Sequence, residues 1–249
     1  MILTGNTIFI TGSGSGIGRG LAEALHKLGN QVIISGRRTS HLEATTKANP
    51  GMASVEMDLQ DPKSIASVAK ELIAQYPRLN VLINNAGIMQ IDDAAGVVDD
   101  AVLVSTVNTN LLGTIRVTSA FIEHLKKQSA ATIIYNTSVL GFVPLALAAV
   151  YSSTKAALHS YVLSQRYKLK NTAVSVLEIA PPWVQTDLMG SNNEPRAMPL
   201  AEFIKETIDV LGTDAQEVLV ERAKPLRNDP GPNEWALVTQ FNDSLLQQT

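Results

Sequence analysis

A glycine-rich segment near the N-terminus has a spacing suited to phosphate binding; it reads Thr11-Gly12-Ser13-Gly14-Ser15-Gly16-Ile17-Gly18. Glycines so placed allow a sharp turn and let backbone N–H groups approach a pyrophosphate at the positive end of a helix. The string follows a strand-like run and opens a helical one, the context that a dinucleotide-binding turn requires. The alternative is a tight turn whose glycines serve packing alone. We predict cofactor contacts at Gly12, Ser13, Gly14, Ser15, Gly16, Ile17 and Gly18.

The end of the next strand-like run decides how an adenosine ribose would be recognised. It reads Ser35-Gly36-Arg37-Arg38 and contains no acidic residue. A carboxylate here would bind the ribose 2′-hydroxyl and repel a 2′-phosphate, whereas arginine offers forked, charge-assisted hydrogen bonds to phosphate. The sequence therefore favours NADP(H) over NAD(H), with Arg37 and Arg38 as cofactor-binding residues. The alternative is that both arginines are solvated residues that precede a helix.

Tyr151, Lys155 and Ser138 form a candidate acid/base set. Tyr151 and Lys155 lie four residues apart in a predicted helix, so they share one face and the ammonium lies near the phenol. That charge, together with an oxidised nicotinamide ring, is expected to lower the phenol pKa from its reference value of about 10. Ser138, 13 residues before Tyr151, could hydrogen-bond a substrate oxygen while Tyr151 exchanges the proton. The structural alternatives are a strand-end cap for Ser138 and an interface aromatic for Tyr151.

Composition excludes several other classes of protein. The 249 residues contain no cysteine, which rules out disulfides and thiolate catalysis and fits a reducing compartment. With 20 Lys plus Arg against 23 Asp plus Glu, no basic face for nucleic acid is expected. No signal peptide is visible, and no apolar run approaches the roughly 18 residues of a membrane span. These observations together predict a cytoplasmic protein. The four histidines lack metal-ligand spacing and are expected on helix surfaces, so we predict no metal site.

Six short β-branched runs alternate with longer helical runs, the pattern of βαβ units around a parallel sheet. The predicted strands span residues 7–11, 31–35, 53–57, 81–84, 131–136 and 173–179. Predicted helices span 16–28, 62–76, 99–127, 149–169, 200–211 and 214–223. A further helix is predicted to begin at a capping box formed by Ser40 and Glu43, and the helix at 62–76 follows an N-cap at Asp61. We predict the α/β fold class, with a single doubly wound parallel sheet, helices on both faces and one domain over residues 1–249.

Together these motifs resemble those of the short-chain dehydrogenases/reductases over residues 7–188. Besides the glycine turn, Ser138 and Tyr151-Ser152-Ser153-Thr154-Lys155, the matching motifs are Asp58, Asn84-Asn85-Ala86-Gly87 and Asn110-Leu111-Leu112-Gly113. The resemblance implies a Rossmann-like fold and an oxidoreductase that transfers hydride between NADP(H) and a carbonyl or secondary alcohol, with Tyr151 as general acid/base. Two alternatives are an NAD(H)-dependent alcohol dehydrogenase of the same family and a dinucleotide-sensing protein without catalysis.

The resemblance also implies roles for individual residues. It implies that Lys155 binds the nicotinamide ribose, that Asn110 supports a water relay to Tyr151, and that Thr186 contacts the nicotinamide carboxamide. Further cofactor contacts are expected at Asp58, Leu59, Asn85, Ala86, Gly87, Pro181, Val184 and Thr186. Because family members usually pair their long helices, we expect a homodimer or homotetramer.

A predicted loop region at about 181–212 lies beyond the carboxyl end of the sixth strand, where open sheets bind ligands. The family usually has Pro-Gly at its start, whereas this chain has Pro181-Pro182, and Pro182 lacks the N–H and the freedom of glycine. The region looks like the family branch named after the D-alanyl-lipoteichoic-acid operon. The expected substrate is a small carbonyl or alcohol compound. Apolar residues are expected to line its pocket, and core or subunit contact is the alternative role for these residues. These are Met89, Val139, Leu140, Leu145, Trp183, Leu188 and Met189.

Overall fold

One sheet of parallel strands runs through the computed structural model, in the order β3-β2-β1-β4-β5-β6-β7. The structure describes residues 1–228 and 233–246. The strands are β1 (Thr7–Ile10), β2 (Gln31–Gly36), β3 (Ala53–Glu56), β4 (Leu79–Asn84), β5 (Ala131–Asn136), β6 (Val174–Ile179) and β7 (Glu217–Val218). Because β1 pairs with both β2 and β4, the strand order reverses there and leaves a crevice at their carboxyl ends.

Helices cover both faces of this sheet. They are α1 (Gly16–Lys27), α2 (Thr39–Ala48), α3 (Pro62–Gln75), α4 (Asp100–Val107), α5 (Thr114–Leu125), α6 (Ala149–Leu169), α7 (Leu200–Leu211), α8 (Lys224–Arg227) and α9 (Glu234–Leu246). Within residues 1–228 and 233–246, none of them has both the length and the apolarity that a membrane span needs.

Alternation along the strands creates two cores, one on each face of the sheet. Ile8 and Ile10 of β1 pack with Leu21 of α1 and Phe203 of α7 in one core. Phe9, the residue between them, packs in the other core with side chains from the opposite helices, which are Ile65 of α3, Phe121 of α5 and Val162 of α6. The predicted doubly wound α/β fold is confirmed by this arrangement.

Three predicted elements differ from the structure. Residues 99–127 are not one helix, because a π-helical segment, Asn108–Gly113, separates α4 from α5. The helix predicted at 214–223 is wrong, since Glu217 and Val218 pair with β6 as the edge strand β7. The capping box at Ser40 is also wrong, because α2 begins at Thr39 and its N-cap is Arg38, without a side-chain cap. The edge strand depends on long-range pairing with β6, which local patterns do not encode.

Candidate active site

The glycine turn packs directly against the segment that follows β4. A Cβ atom on Gly12, whose φ is +66°, would lie 2.5 Å from the Ala86 Cα atom. The Asn85 side chain donates hydrogen bonds to the carbonyl oxygens of Thr11 and Gly12, each at 3.0 Å. A Cβ atom on Gly18 would lie 2.3 Å from Asn85 Nδ2. The absence of side chains at Gly12 and Gly18 therefore lets two strand ends meet at the crevice.

Ser13 and Ser15 of the turn have different environments. The Ser13 hydroxyl is buried and donates to the Ile10 carbonyl at 2.7 Å, so this side chain stabilises the turn from within. Ser15 is the N-cap of α1 and makes no side-chain cap hydrogen bond. Instead its Oγ accepts a hydrogen bond of 3.0 Å from Arg38 Nη2. Arg38 therefore lies beside the turn, while Arg37 is exposed at the end of β2.

Asp58 and Leu59, which follow the third strand and were predicted to contact the cofactor, bond to or pack against other parts of the chain. The Asp58 carboxylate accepts from the Gln60 N–H at 2.9 Å and so stabilises the turn that leads into α3. Leu59 is buried in the core that contains α3, α5 and α6. Its carbonyl oxygen would lie 2.6 Å from a Cβ on Gly113. The side chain of Leu59 thus faces the core, and a cofactor contact at Leu59 stays a prediction.

Ser138 and Tyr151 form a pair of buried, neighbouring hydroxyl side chains. Ser138 follows β5, and its Oγ also accepts from the Leu140 N–H at 3.1 Å, which makes it the cap of a 3₁₀ turn as well. Tyr151 lies in the first turn of α6 and is only 7% exposed. Burial raises the pKa of the Tyr151 phenol to about 12, although the neighbouring Ser138 hydroxyl opposes this shift. In the ligand-free chain desolvation therefore outweighs the expected lowering, and the phenol is protonated at neutral pH.

Lys155 lies one turn further along α6 and is buried as well. Its Nζ atom donates a 2.8 Å hydrogen bond to the Asn136 carbonyl and is 5.4 Å from the centroid of the Tyr151 ring. Burial lowers the pKa of Lys155 to about 8, while the charge of Glu178 raises it. A Cβ on Gly141 would lie 3.1 Å from the Lys155 carbonyl oxygen, so the turn after Ser138 packs directly on this part of α6.

Asn110 lies in the π-helical segment and bonds to the loop after β4. Its Oδ1 accepts from the Ile88 N–H at 2.8 Å, and its Nδ2 donates to the Ile88 carbonyl at 2.8 Å. A Cβ on Gly87 would lie 3.4 Å from Asn110 Oδ1 and 3.7 Å from Lys155 Nζ. The wider π-helical turn therefore aims an amide at the segment beside Lys155. Asn110 holds this loop in place, and the predicted proton relay stays a prediction.

The loop that starts at Pro181 and Pro182 turns back towards the glycine turn. Val184 forms a β-bridge with Met198, and Thr186 is buried with its Cβ within 3.4 Å of a Cβ built on Gly16. Thr186 therefore reaches the N-terminus of α1, and its predicted contact with the nicotinamide carboxamide stays a prediction.

The outer part of this loop is also ordered by its own side chains. The Trp183 Nε1–H donates to Ser191 Oγ at 2.9 Å, and the Arg196 guanidinium lies 5.1 Å from the indole centroid. Met189 has a φ of +55°, a strained backbone for a side chain of this size. The segment that follows Pro182 is thus a folded loop with a strained backbone at Met189.

The predicted substrate-pocket residues divide into three groups by burial. Trp183, Leu188 and Met189 are exposed in the late loop, and Met89, Leu140 and Leu145 are partly buried around the crevice. Val139 differs, because it is 3% exposed and belongs to the hydrophobic core. Its N–H donates to the Pro181 carbonyl at 3.0 Å, and a direct substrate contact by Val139 stays a prediction.

Several residues near the site were missed from the sequence. Asn136 Nδ2 donates to Asn85 Oδ1 at 2.8 Å and extends the amide network from the glycine turn to Lys155. His159, expected on a helix surface, is instead mostly buried and hydrogen-bonded to Glu178. The four-residue spacing of Tyr151, Lys155 and His159 was the available signal, since it places all three on one face of α6.

The polar groups around the crevice fit a dinucleotide. At one end, the first turn of α1 presents backbone N–H groups beside Arg38. At the other end, Lys155 Nζ has one hydrogen-bond acceptor among the described residues, so two of its N–H groups are available for ribose hydroxyls. Cationic donors at both ends and small residues between them suit a long anionic ligand.

Comparisons with known proteins give the family. A family model described as short chain dehydrogenase matches residues 6–197. The uncharacterized oxidoreductase DltE of Bacillus subtilis is 36% identical over 248 residues, which are 97% of this chain and 98% of that protein. A short-chain dehydrogenase from Burkholderia cenocepacia, solved in complex with NADP, has a TM-score of 0.83 and 26% identity over 99% of both chains. An alcohol dehydrogenase from Thermococcus sibiricus, complexed with 5-hydroxy-NADP, has a TM-score of 0.79 and 22% identity over 86% of this chain and 95% of that one. This chain belongs to the short-chain dehydrogenase family.

Proposed function

We propose that this protein is an NADP(H)-dependent oxidoreductase that interconverts a carbonyl compound and the corresponding secondary alcohol. The observation that carries the proposal is the buried Ser138–Tyr151 pair beside Lys155, in the same crevice as the glycine turn. Membership of the short-chain dehydrogenase family supports an oxidoreductase.

Tyr151 is the proposed general acid in the direction of reduction. Because its pKa is raised to about 12, the phenol carries its proton at neutral pH and can donate it to a carbonyl oxygen. The Ser138 hydroxyl would hydrogen-bond the same oxygen, and the Lys155 ammonium would stabilise the phenolate that remains. When bound, the nicotinamide would supply the hydride that adds to the carbonyl carbon.

The proposed preference for NADP(H) rests on the end of β2. Arg37 and Arg38 follow this strand without an acidic residue, and Arg38 lies on Ser15 at the edge of the glycine turn. A guanidinium there would attract a 2′-phosphate through charge-assisted hydrogen bonds. The relative from Burkholderia cenocepacia was solved with NADP, which agrees with this choice.

The proposed substrate is a small carbonyl or alcohol with an apolar flank. Trp183, Leu188 and Met189 present exposed apolar surface from the late loop, and Leu145 lies on the segment between Ser138 and Tyr151. Apolar walls with a few convergent polar groups are typical of sites that bind small molecules. In this arrangement Ser138 and Tyr151 would orient the reacting oxygen.

A purified sample tests the proposal by the loss of nicotinamide absorbance with a panel of ketones and aldehydes. We expect turnover with NADPH at a higher kcat/KM than with NADH. Ser138→Ala should reduce turnover while NADPH binding, followed by fluorescence titration, changes little. NADPH binding without turnover of any carbonyl or alcohol would favour a dinucleotide-sensing protein instead.

We also propose that the protein is a homodimer or homotetramer. A groove of about 360 Å³ between α4 and α6 is lined mainly by apolar side chains, among them Leu103, Val107, Leu111 and Val150. Leu103 and the neighbouring Val104 and Leu112 are exposed in the single chain. A second copy that covers this face would bury them. The cytoplasmic location predicted from the cysteine-free sequence stays a prediction.

A further inference from the structure

Glu178 is a buried carboxylate in an otherwise apolar strand face. Along β6, Val174, Val176 and Glu178 point towards α6, and the two valines belong to the core there. The Glu178 residue is only 1% exposed. A charge at such a position is costly unless hydrogen bonds and neighbouring charges compensate for it.

Both oxygens of Glu178 accept hydrogen bonds. Thr137 Oγ1 donates to Oε1 at 2.7 Å, and His159 Nδ1 donates to Oε2 at 2.8 Å. Thr137 stands between Asn136, whose carbonyl accepts from Lys155 Nζ, and Ser138. One carboxylate therefore holds the backbone segment that presents both Ser138 and the acceptor of Lys155.

The second partner connects Glu178 to the helix that carries the proposed acid. His159 lies one helical turn after Lys155 and two turns after Tyr151, on the same face of α6. The Phe142 ring packs edge-on against the His159 ring, with centroids 4.9 Å apart. Glu178 thus joins the end of β5 to α6 beneath the Ser138–Tyr151 pair.

His159, Glu178 and Glu217 place ligand-type atoms within 4.8 Å of one another, as a cation site would. However, both Glu217 oxygens accept from Arg227, at 2.9 and 3.0 Å, and the Glu178 oxygens bind Thr137 and His159. Arg166 is another cation that lowers the pKa of Glu217. The group is better described as a compensated charge network than as a cation site.

We propose that Glu178 is a positioning residue of the active site, which ties the Asn136–Ser138 segment to α6 and so aligns Ser138 with Lys155 and Tyr151. The inference rests on the proposed function. The charge of Glu178 also acts on Lys155. It raises the pKa of the Lys155 ammonium, whereas burial lowers that pKa. The charged or titratable groups around the pair are Tyr151, His159, Glu217, Arg166 and Arg227.

Glu178→Gln is the principal test, because it keeps the size of the side chain and removes its charge. We expect kcat to fall about tenfold with little change in KM, within the 10²-fold that a small misplacement can cost. In the cofactor-free protein, NMR of ¹³C-labelled lysine should show a lower pKa for Lys155 than in the wild type, with Lys155→Met used to assign the signal. This second measurement does not depend on turnover.

Glu71→Gln is the control, since Glu71 is an exposed carboxylate on α3, outside this charge network. It should leave kcat and the Lys155 titration unchanged. If Glu178→Gln fails to fold, Thr137→Val should show the same loss of kcat, and Thr137→Ser should restore it because the hydroxyl is retained.

Wild-type kcat and an unchanged Lys155 titration in folded Glu178→Gln would overturn the positioning role. The proposed function fails separately, by the absence of any carbonyl turnover in the wild type. In that case the NMR titration still decides whether Glu178 acts on Lys155.

Discussion

At the scale of single residues, the proposed chemistry depends most directly on the Tyr151 hydroxyl. Tyr151→Phe keeps the ring and its packing but removes the proton donor. We expect kcat to fall by roughly 10²–10⁴, the contribution usual for general acid–base catalysis. NADPH affinity should change little. Tyr161→Phe on the same helix is the control, and wild-type turnover in Tyr151→Phe would assign the proton to another group.

The pKa of Lys155 predicts a pH dependence of cofactor binding. Because burial lowers this pKa to about 8, the ammonium is lost as pH rises through that value. If the ammonium binds a ribose hydroxyl, NADPH affinity should weaken over the same interval, as measured by fluorescence titration. Lys155→Met should bind NADPH more weakly below pH 8 and lose the dependence. An unchanged wild-type affinity through this pH range would exclude an ammonium contact.

The same residue also affects stability, with a definite sign. The folded-state pKa of Lys155 is below the ordinary lysine value of 10.5, so folding disfavours the charged form. The free energy of unfolding should therefore increase between about pH 8 and pH 10.5 as far as this group contributes, because the unfolded chain binds the extra proton there.

Arg38 is the residue on which the cofactor preference is expected to depend. Arg38→Asp removes a cation beside Ser15 and adds repulsion towards a 2′-phosphate. The ratio of kcat/KM for NADPH to that for NADH should fall strongly. Arg37→Asp tests the neighbouring arginine, and Lys47→Asp, an exposed change of the same charge on α2, is the control. A ratio unchanged in both arginine variants would mean that other groups read the ribose.

At the scale of elements, α9 holds the segment between Ser138 and Tyr151. Asn242 Oδ1 accepts from the Ala146 N–H at 2.6 Å, and its Nδ2 donates to the Pro144 carbonyl at 3.0 Å. Asn242→Ala leaves both backbone groups without this partner and should cost about 1–3 kcal/mol of stability. We also expect a higher KM for the carbonyl substrate, because Leu145 lies in this segment.

A matched variant separates the effect of this contact from a general weakening of α9. Gln240→Ala changes an exposed residue of the same helix and should leave both Tm and KM near wild type. Equal values of KM in the wild type and Asn242→Ala would show that α9 does not shape the substrate site.

At the scale of the whole molecule, the groove between α4 and α6 is where association is expected. Leu103→Asp places a charge on this apolar face and should shift the protein towards a monomer of 26.7 kDa, as measured by light scattering. Ile2→Asp changes an exposed apolar residue elsewhere and should leave the mass unchanged. A wild-type protein that is already monomeric at micromolar concentration would contradict the proposed oligomer.

Features that depend on a local pattern of residues could be predicted from the sequence. The glycine spacing after a strand predicted the turn into α1, and the four-residue spacing of Tyr151 and Lys155 predicted a shared helix face. β-branched runs separated by helical periods predicted six of the seven described strands and the doubly wound fold. Such features follow from residue periodicity and turn geometry, which are the same wherever the segment lies.

Features that join distant parts of the chain became visible in the folded structure. Burial raised the pKa of Tyr151, whereas the sequence argument considered the nearby positive charges and expected it to fall. Three hydrogen bonds join residues that are 23, 41 and more than 90 positions apart in the sequence. They are the bonds of Arg38 to Ser15, of Thr137 to Glu178 and of Ala146 to Asn242. Desolvation and hydrogen bonding between such residues depend on how the elements pack, and packing is not readable from any single segment.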